Sequence, residues 1–258
     1  MLIKDIMQTN LITVDKDESL ANVVELMKKH NITKFPVMDK GKFVGIVSDE
    51  EIVNKLGAIR QRMISASSLK VSSVTIKEVR SAGPLTNLNE VVETCKRGKI
   101  GMLPILENGE LKGILTRSDL LGLVQSDKPL GEVIKKEVYS VLPDDRLVHA
   151  RRIMIDRGVE RLPVLGAGTV IGIIGSMDIA MFLAYFKDHV PVRYQKARIK
   201  NLRVEDAMRR DVVVAEENQT AREAAKIMAK ENIGCLPVVD TERKIRGIIS
   251  RTDLIRLI

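Results

Sequence analysis

The sequence repeats one short pattern four times, and this repetition constrains the fold more than any other feature. The pattern is a glycine, two apolar residues, a hydroxyl residue and, three positions further on, an acidic residue. It is clearest over 113–120 and 247–254, and weaker copies lie at 45–52 and 172–179. Four copies in order predict a structural unit that has been duplicated, and not one continuous domain.

Further anchors keep the same register around each copy. A proline flanked by apolar residues precedes each glycine by nine or ten positions, and a methionine or cysteine precedes each proline by nine. The prolines are Pro36, Pro104, Pro163 and Pro237, and their partners are Met27, Cys95, Met154 and Met228. Because these anchors stay in register while the spacing between copies varies, duplication explains them better than coincidence.

Within a copy the pattern alternates between helix and strand, which predicts an α/β fold. Apolar residues at 20, 23, 24 and 27 have helical spacing, and Ser19 is a good N-cap for that helix. Asn31 lies where a left-handed residue would end it, and Gly158 and Asn232 have the same place in copies further along the chain. A strand through Pro36, a turn, a second strand and a second helix follow. A unit of about 55 to 60 residues buries only part of its apolar surface, so the copies should pack together.

Composition excludes some classes of protein. The chain has 258 residues, of which 45% are hydrophobic and only 3% aromatic, so an aliphatic core is expected. No run approaches the ~18 to 20 apolar residues of a membrane helix. The first residues include an early acid and no long apolar stretch, which is not typical of a signal peptide. Two cysteines without CxxC spacing, Cys95 and Cys235, suit a reducing compartment, so we expect a cytoplasmic protein without membrane association.

The net charge of +8 is concentrated in one segment. Residues 187–203 contain six basic residues and one acidic residue. The preferred interpretation is a solvated, mostly solvent-facing connector. The alternative is nucleic-acid binding, in which Tyr185, Phe186 and Tyr194 would stack on bases.

Nothing in the sequence predicts an enzyme. No pair of nucleophile and base, no P-loop and no metal-binding cluster is present in the sequence, and the three histidines are scattered. We therefore expect no catalytic residue, no bound metal and no catalytic cofactor.

These motifs resemble the cystathionine β-synthase (CBS) domain family. The matching parts are the openings at 4–7 and 205–208, the apolar-Pro-Val strand, and the Gly-apolar-apolar-Ser/Thr-x-x-Asp pattern. The resemblance covers residues 1–57, 63–125, 128–187 and 199–258, which we call copies 1 to 4. It implies four α+β CBS folds, paired into two Bateman modules over 1–125 and 128–258. Two modules can form a flat disk, as in the γ subunit of AMP-activated protein kinase.

The resemblance also implies a ligand. Clefts between paired CBS copies bind adenosine compounds such as AMP, ADP, ATP or S-adenosylmethionine, and the aspartate of the pattern holds the ribose hydroxyls. A carboxylate can accept two charge-assisted hydrogen bonds from vicinal hydroxyls. The hydroxyl residue lies near the phosphate or ribose, at a helix N-terminus whose free N–H groups favour an anion. The partner copy completes the cleft with its opening strand and its proline strand.

Two clefts carry the full set of expected groups. The cleft of Thr116 and Asp119 would take Thr13 and Lys34 from copy 1. The cleft of Ser250 and Asp253 would take Ser140 and Arg161 from copy 3. The predicted ligand-binding residues are Thr13, Lys34, Phe35, Thr116, Arg117, Asp119, Ser140, Arg161, Leu162, Ser250, Arg251 and Asp253.

The other two clefts are predicted to be weaker. Copy 1 has Ser48 but Glu51 in place of aspartate, and copy 3 has Asp178 but a glycine in place of the hydroxyl. We therefore predict one functional and one degenerate site in each module. The competing interpretation is that each hydroxyl and acid pair is an ordinary helix N-cap.

The expected function is a regulatory sensor of AMP, ADP or ATP that has no catalytic domain. A sensor of S-adenosylmethionine or methylthioadenosine is the alternative with the same fold. The output would act through a separate regulated protein, or through self-association such as a homodimer.

Overall fold

The computed structural model describes residues 1–57, 64–97 and 101–258. Its strands are β1 (Val14–Asp15), β2 (Lys34–Asp39), β3 (Lys42–Ser48), β4 (Met102–Glu107), β5 (Glu110–Thr116), β6 (Arg161–Gly166), β7 (Thr169–Gly175), β8 (Ala215–Glu216), β9 (Cys235–Val239) and β10 (Ile245–Ser250). Its helices are α1 (Leu20–His30), α2 (Asp49–Leu56), α3 (Leu88–Arg97), α4 (Arg117–Leu120), α5 (Leu130–Val133), α6 (Leu147–Arg157), α7 (Ser176–His189), α8 (Val192–Arg198), α9 (Ala221–Lys230) and α10 (Arg251–Ile255). The alternation of helix and strand confirms the predicted α/β class.

Each copy is built on an antiparallel strand pair that begins at the proline strand. The pairs are β2 with β3, β4 with β5, β6 with β7, and β9 with β10. In copies 1 and 4 the short opening strand adds to the proline strand in parallel. In copies 2 and 3 a single parallel bridge takes its place, from Ala82 to Ile105 and from Val141 to Val164. The four proline anchors therefore mark the same structural position.

The predicted helix ends are confirmed. The Ser19 hydroxyl accepts a hydrogen bond from the Asn22 N–H at 3.2 Å, as an N-cap does. Asn31, Gly158 and Asn232 have φ values of 50°, 60° and 47°, which is the left-handed conformation expected there.

The opening segment of each copy crosses to the other copy of its pair. In each copy, a residue shortly after the opening helical turn forms a β-bridge with the second strand of the partner copy. The four bridges are Gln8 with Ile114, Ile76 with Ile46, Lys135 with Ile248, and Arg209 with Ile173. Copies 1 and 2 thus exchange their opening segments, and so do copies 3 and 4.

Helices join the two pairs of copies. Helices α1 and α2 of copy 1 pack on α7 of copy 3, and α10 of copy 4 packs on α3 and α4 of copy 2. The first contact lies in a continuous apolar cluster that includes Met27, Ile52 and Leu183. The side-chain amides of Asn31 and Asn232 also donate to each other's backbone carbonyl, at 3.4 and 3.1 Å.

The basic segment 187–203 is mostly exposed but is not an extended linker. It contains the end of α7, the whole of α8 and a 3-10 turn. Lys187 is buried, and burial lowers the pKa of its ammonium group. Within residues 1–57, 64–97 and 101–258, no helix has both the length and the apolar character that crossing a membrane requires.

Candidate functional site: four clefts and a central charged cluster

The acid of copy 2 caps its own helix, as the competing interpretation expected. One oxygen of Asp119, Oδ2, accepts hydrogen bonds from the Thr116 N–H at 2.6 Å and the Thr116 hydroxyl at 2.8 Å. The other oxygen, Oδ1, accepts a hydrogen bond from the Gln8 amide at 2.7 Å. Gln8 belongs to copy 1, so the partner copy reaches this carboxylate. The cleft that contains it is called the Asp119 cleft.

The acid of copy 4 has the same arrangement with a charged partner. Oδ2 of Asp253 accepts hydrogen bonds from the Ser250 N–H at 3.0 Å and the Ser250 hydroxyl at 2.5 Å. Its Oδ1 lies 2.9 Å from Nζ of Lys135 and 3.6 Å from Nη1 of Arg256. The carboxylate of the Asp253 cleft is therefore neutralised by a base from copy 3.

The acid of copy 3 keeps the backbone contact without a hydroxyl. Oδ2 of Asp178 accepts a hydrogen bond from the Gly175 N–H at 2.8 Å, and Oδ1 lies 3.0 Å from Nε of Arg209 in copy 4. Burial raises the pKa of Asp178, although Arg209 and the Gly175 N–H oppose the increase. The missing hydroxyl therefore does not prevent the Asp178 carboxylate from being held in place.

The acid of copy 1 is the exception. The Glu51 N–H donates to the Ser48 hydroxyl at 3.3 Å, so the serine caps the helix. The partner position that carries Gln8, Lys135 or Arg209 in the other clefts is Ile76 here, and its side chain is apolar. Burial, followed by the neighbouring Glu50, raises the pKa of Glu51. At the two compared positions, this Glu51 cleft has a glutamate in place of the aspartate and an apolar residue in place of the polar partner.

Sequence reasoning missed these partners of the acids. Gln8, Lys135 and Arg209 follow the opening motif, but the contacts join residues as far apart as 8 and 119. The available signal was their common place after the opening motif. Without the reciprocal bridges, nothing in the sequence said which acid each would meet.

A cluster of charged side chains forms where the four copies meet. In copies 1, 3 and 4 the first residue of the helix that follows the strand pair donates its N–H to the carbonyl of the residue before the proline strand, as Arg251 does to Gly234 at 3.1 Å. This bond holds that residue beside the start of the proline strand. The resulting central cluster consists of four bases and two acids, namely Lys34, Arg117, Arg161, Arg251, Asp49 and Glu160.

The bases of the central cluster outnumber its acids, and their hydrogen bonding is incomplete. Nη1 of Arg117 lies 3.8 Å from Glu160, and Nη1 of Arg161 lies 3.4 Å from it. The buried Nε atoms of Arg117 and Arg251 have no hydrogen-bond partner among the described residues. Burial and the nearby Arg161 lower the pKa of Arg251 to about 10. An anion placed here would satisfy donors and relieve repulsion between the bases.

Two glycines make room for two of these bases. A Cβ atom at Gly101 would lie 2.5 Å from Cε of Lys34, and one at Gly234 would lie 2.5 Å from Nη1 of Arg161. Both glycines immediately precede a proline strand, in copies 2 and 4. Each base therefore crosses onto the partner copy of its own pair.

A cavity of about 680 Å³ surrounds Asp178. Arg161 and Arg209 line its polar side. Much of the remaining wall is apolar and includes Met177, Met181, Phe182, Val213, Ile233 and Cys235. Sequence reasoning placed Arg161 in the Asp253 cleft and ranked Asp178 among the weaker residues, whereas the structure brings Arg161 and Asp178 to one cavity.

The remaining predicted residues fall in two groups. Thr13 is exposed and Ser140 is half-buried, each directly before the residue that pairs with the proline strand. Phe35 and Leu162 are fully buried in the apolar cluster between copies 1 and 3. Their side chains therefore stabilise the core, and a ligand could meet only their backbone.

The chain belongs to the CBS domain family. The sequence profile of the CBS domain matches residues 3–58, 71–126, 130–185 and 204–258, which is most of the chain. The resemblance drawn from the motifs is thereby confirmed.

Within the family, the chain is similar to protein MJ1225 of Methanocaldococcus jannaschii. The two sequences are 28% identical over 95% of this chain and 94% of that protein. The crystal structure of MJ1225, described as a candidate archaeal homologue of g-AMPK, covers 99% of each chain with a TM-score of 0.85 and 26% identity. A Pyrococcus horikoshii protein aligns over 100% of this chain and 99% of its own, with a TM-score of 0.61 and 23% identity, and shares the fold.

Proposed function

We propose that this chain is a regulatory sensor that binds adenine nucleotides in its clefts and acts on a separate protein. The observation that carries the proposal is the central cluster, in which four bases face two acids and two buried guanidinium nitrogens lack partners. A phosphate group would accept hydrogen bonds from these nitrogens and offset the excess positive charge, because planar guanidinium groups match its geometry. The cleft aspartates would supply a carboxylate that binds the ribose hydroxyls of the same nucleotide.

We propose three ligand-binding clefts, those of Asp119, Asp178 and Asp253. Each has an aspartate that the partner copy reaches through Gln8, Arg209 or Lys135. The Glu51 cleft lacks that contact, so we assign it the lowest affinity. In this proposal residues 1–125 and 128–258 act as two modules, and ligands change how the modules or a partner protein are arranged.

The Asp178 cavity favours a second ligand class at that one cleft. Its wall includes Met177, Met181 and Phe182, which would suit an apolar substituent on the ribose. We therefore propose that this cleft also accepts methylthioadenosine or S-adenosylmethionine.

The basic segment 187–203 supports nucleic-acid binding less well than the clefts support nucleotide binding. Phe186 is buried and Tyr185 stacks on His189 at 4.0 Å. The Tyr194 ring is covered by the guanidinium groups of Arg193 and Arg198, at 4.7 and 5.4 Å from its centroid. All three rings that could have stacked on bases therefore already have partners.

Titration calorimetry tests the proposal. The purified chain is titrated with adenosine, AMP, ADP, ATP, S-adenosylmethionine and methylthioadenosine, with GMP as the control for the base. We expect at least one adenosine compound to bind more tightly than GMP, with no more than three sites per chain. If none of the six binds, or if GMP binds equally well, the proposed function is wrong.

A further inference from the structure

Glu160 stands out among four equivalent positions. The residue before the proline strand is Thr33 in copy 1, Gly101 in copy 2 and Gly234 in copy 4, but an acid in copy 3. Its backbone makes the same contact as Thr33 and Gly234 make, because its carbonyl accepts the N–H of Ser176 at 3.1 Å. The fold at this position therefore does not require a carboxylate.

The Glu160 side chain projects among the bases of the central cluster. Its two oxygens lie 3.8 Å from Nη1 of Arg117 and 3.4 Å from Nη1 of Arg161. Burial alone would raise the pKa of Glu160, but Lys34, Arg161 and Arg117 outweigh it and hold that pKa below its usual value. The carboxylate is therefore charged at neutral pH and sits where the positive charge is concentrated.

Glu160 is also open to solvent. Its side chain keeps 43% of its surface exposed, against 15% for Arg117 and 21% for Arg161. A ligand could therefore reach the same bases and push this carboxylate aside without unfolding anything. The charged contacts of Glu160 are those that a phosphate oxygen would make.

We propose that Glu160 is an internal anion that occupies the phosphate-binding bases and limits how many phosphates a bound nucleotide carries. The inference rests on the proposed function and names the ligand class within it. The Glu160 carboxylate offsets part of the positive charge of Lys34, Arg161 and Arg117. A phosphate monoester carries about −1.5 to −2 at pH 7, and each further phosphate adds negative charge. With Glu160 in place, longer phosphate chains therefore meet more repulsion than a nucleoside monophosphate does.

The test measures the affinities of two proteins for a series of ligands with zero to three phosphates. Wild type and Glu160→Gln are titrated with adenosine, AMP, ADP and ATP, without divalent metal so that the phosphate charge is not neutralised. Wild type should bind AMP at least as tightly as ATP. Glu160→Gln should bind ATP at least about tenfold more tightly than wild type, because a charge-assisted competitor has been removed. The gain should be smaller for AMP and within about twofold for adenosine, which carries no phosphate.

Two control variants make the result specific. Glu160→Asp keeps the charge and should keep the wild-type order of affinities. Glu217→Gln removes an acid that is exposed in copy 4, and it should leave all four ligand affinities unchanged. The ATP gain of Glu160→Gln should also shrink as salt is raised, because screening weakens the electrostatic competition.

The outcomes separate this inference from the proposed function. If the nucleotides bind but Glu160→Gln has the same four affinities as wild type, the proposal that Glu160 is an internal anion is wrong. The proposed sensor function is then still supported. If Glu160→Gln weakens AMP and ATP equally, Glu160 supports the ligand and the inference is overturned. If neither protein binds any of the four compounds, the internal anion is wrong, and the proposed function holds only if S-adenosylmethionine or methylthioadenosine binds.

Discussion

The two pairs of copies treat their cleft acids differently. In the first pair Asp119 meets the neutral amide of Gln8, and Glu51 lies in the cleft with Ile76. In the second pair Asp253 and Asp178 both meet bases, Lys135 and Arg209. The environment of an acid is therefore decided by the opening segment that the partner copy supplies, and not by the copy that carries the acid. Of the three aspartates, Asp119 is the one that meets a neutral amide at this position instead of a base.

The largest expected effect follows from removing these acids. Asp119→Ala, Asp178→Ala and Asp253→Ala should each remove about one binding site, or weaken it at least about tenfold, because each charge-assisted hydrogen bond is worth about 1.5–3 kcal/mol. Glu51→Ala should change the stoichiometry least. Calorimetric stoichiometry on wild type and the four variants measures this.

The same four alanine variants also show which cleft binds the ligand most tightly. The sequence favoured Asp119 and Asp253, and the cavity gives Asp178 an equal claim. Loss of the tightest site in Asp178→Ala alone would show that the sequence-based order is wrong. Loss of that site in Glu51→Ala would overturn the contrast between the clefts.

A smaller effect is expected from filling the two glycine positions. Gly234→Ala would place a Cβ 2.5 Å from Nη1 of Arg161, and Gly101→Ala would place one 2.5 Å from Cε of Lys34. Both side chains can move, so the fold should persist. Arginine binds through a rigid fork, whereas lysine is a flexible point charge that can be redirected. Gly234→Ala should therefore weaken AMP by roughly tenfold and Gly101→Ala by roughly threefold or less. Equal losses would mean that the two bases are used alike.

Asp49 gives a prediction about stability and pH. Burial raises the pKa of this carboxyl to about 6, although Lys34 opposes the increase. A raised folded-state pKa means that folding favours the protonated form. The free energy of unfolding therefore falls as pH rises from about 4 to about 6, and the loss persists above that range. Asp49→Asn should be more stable than wild type at pH 7.5, by up to about 2–3 kcal/mol.

Thermal melts between pH 4.5 and 8 check that expectation. The advantage of Asp49→Asn should shrink towards the acidic end, where wild-type Asp49 is itself neutral. Glu217→Gln is the control, because it removes an exposed acid of copy 4 that does not neighbour Asp49 in the sequence. A constant advantage at every pH would mean that the effect is not titration of Asp49.

The smallest effect concerns the basic segment of the second pair. Arg193 and Arg198 are held on Tyr194, so they should bind a polyanion weakly and only through charge. Binding of a labelled single strand should disappear above about 0.2 M salt. Arg193→Ala with Arg198→Ala should reduce it further and leave AMP affinity unchanged. Single-strand binding that persists at that salt concentration would restore the nucleic-acid hypothesis.

Much of each unit could be predicted because the signals are local. The N-cap at Ser19 and the left-handed residue at Asn31 depend on neighbours within a turn of helix. The same holds for the contact between Thr116 and Asp119, three residues apart. Short-range geometry of this kind is determined by residue type and spacing.

The composition of the site could not be predicted in the same way. Glu160 meets Arg117 only because the four copies meet at the central cluster, and Arg161 lines the same cavity as Asp178 although the two residues lie on different elements. Phe35 and Leu162 were assigned to the ligand from the motif, but the packing of copy 1 on copy 3 makes them core residues. These relations depend on how the copies assemble, and residue patterns within one copy do not contain that information.

The exchange of opening segments has a consequence for how such a protein can grow or shrink. A copy cut out alone would carry an opening segment with no strand to receive it, and its own second strand would lose the bridge at Ile46, Ile114, Ile173 or Ile248. Two paired copies satisfy each other's bridges. The smallest unit in which all of these bridges form is therefore a pair of copies. A single copy could form them only by pairing with the same copy of a second chain. Copies should therefore be gained or lost by twos.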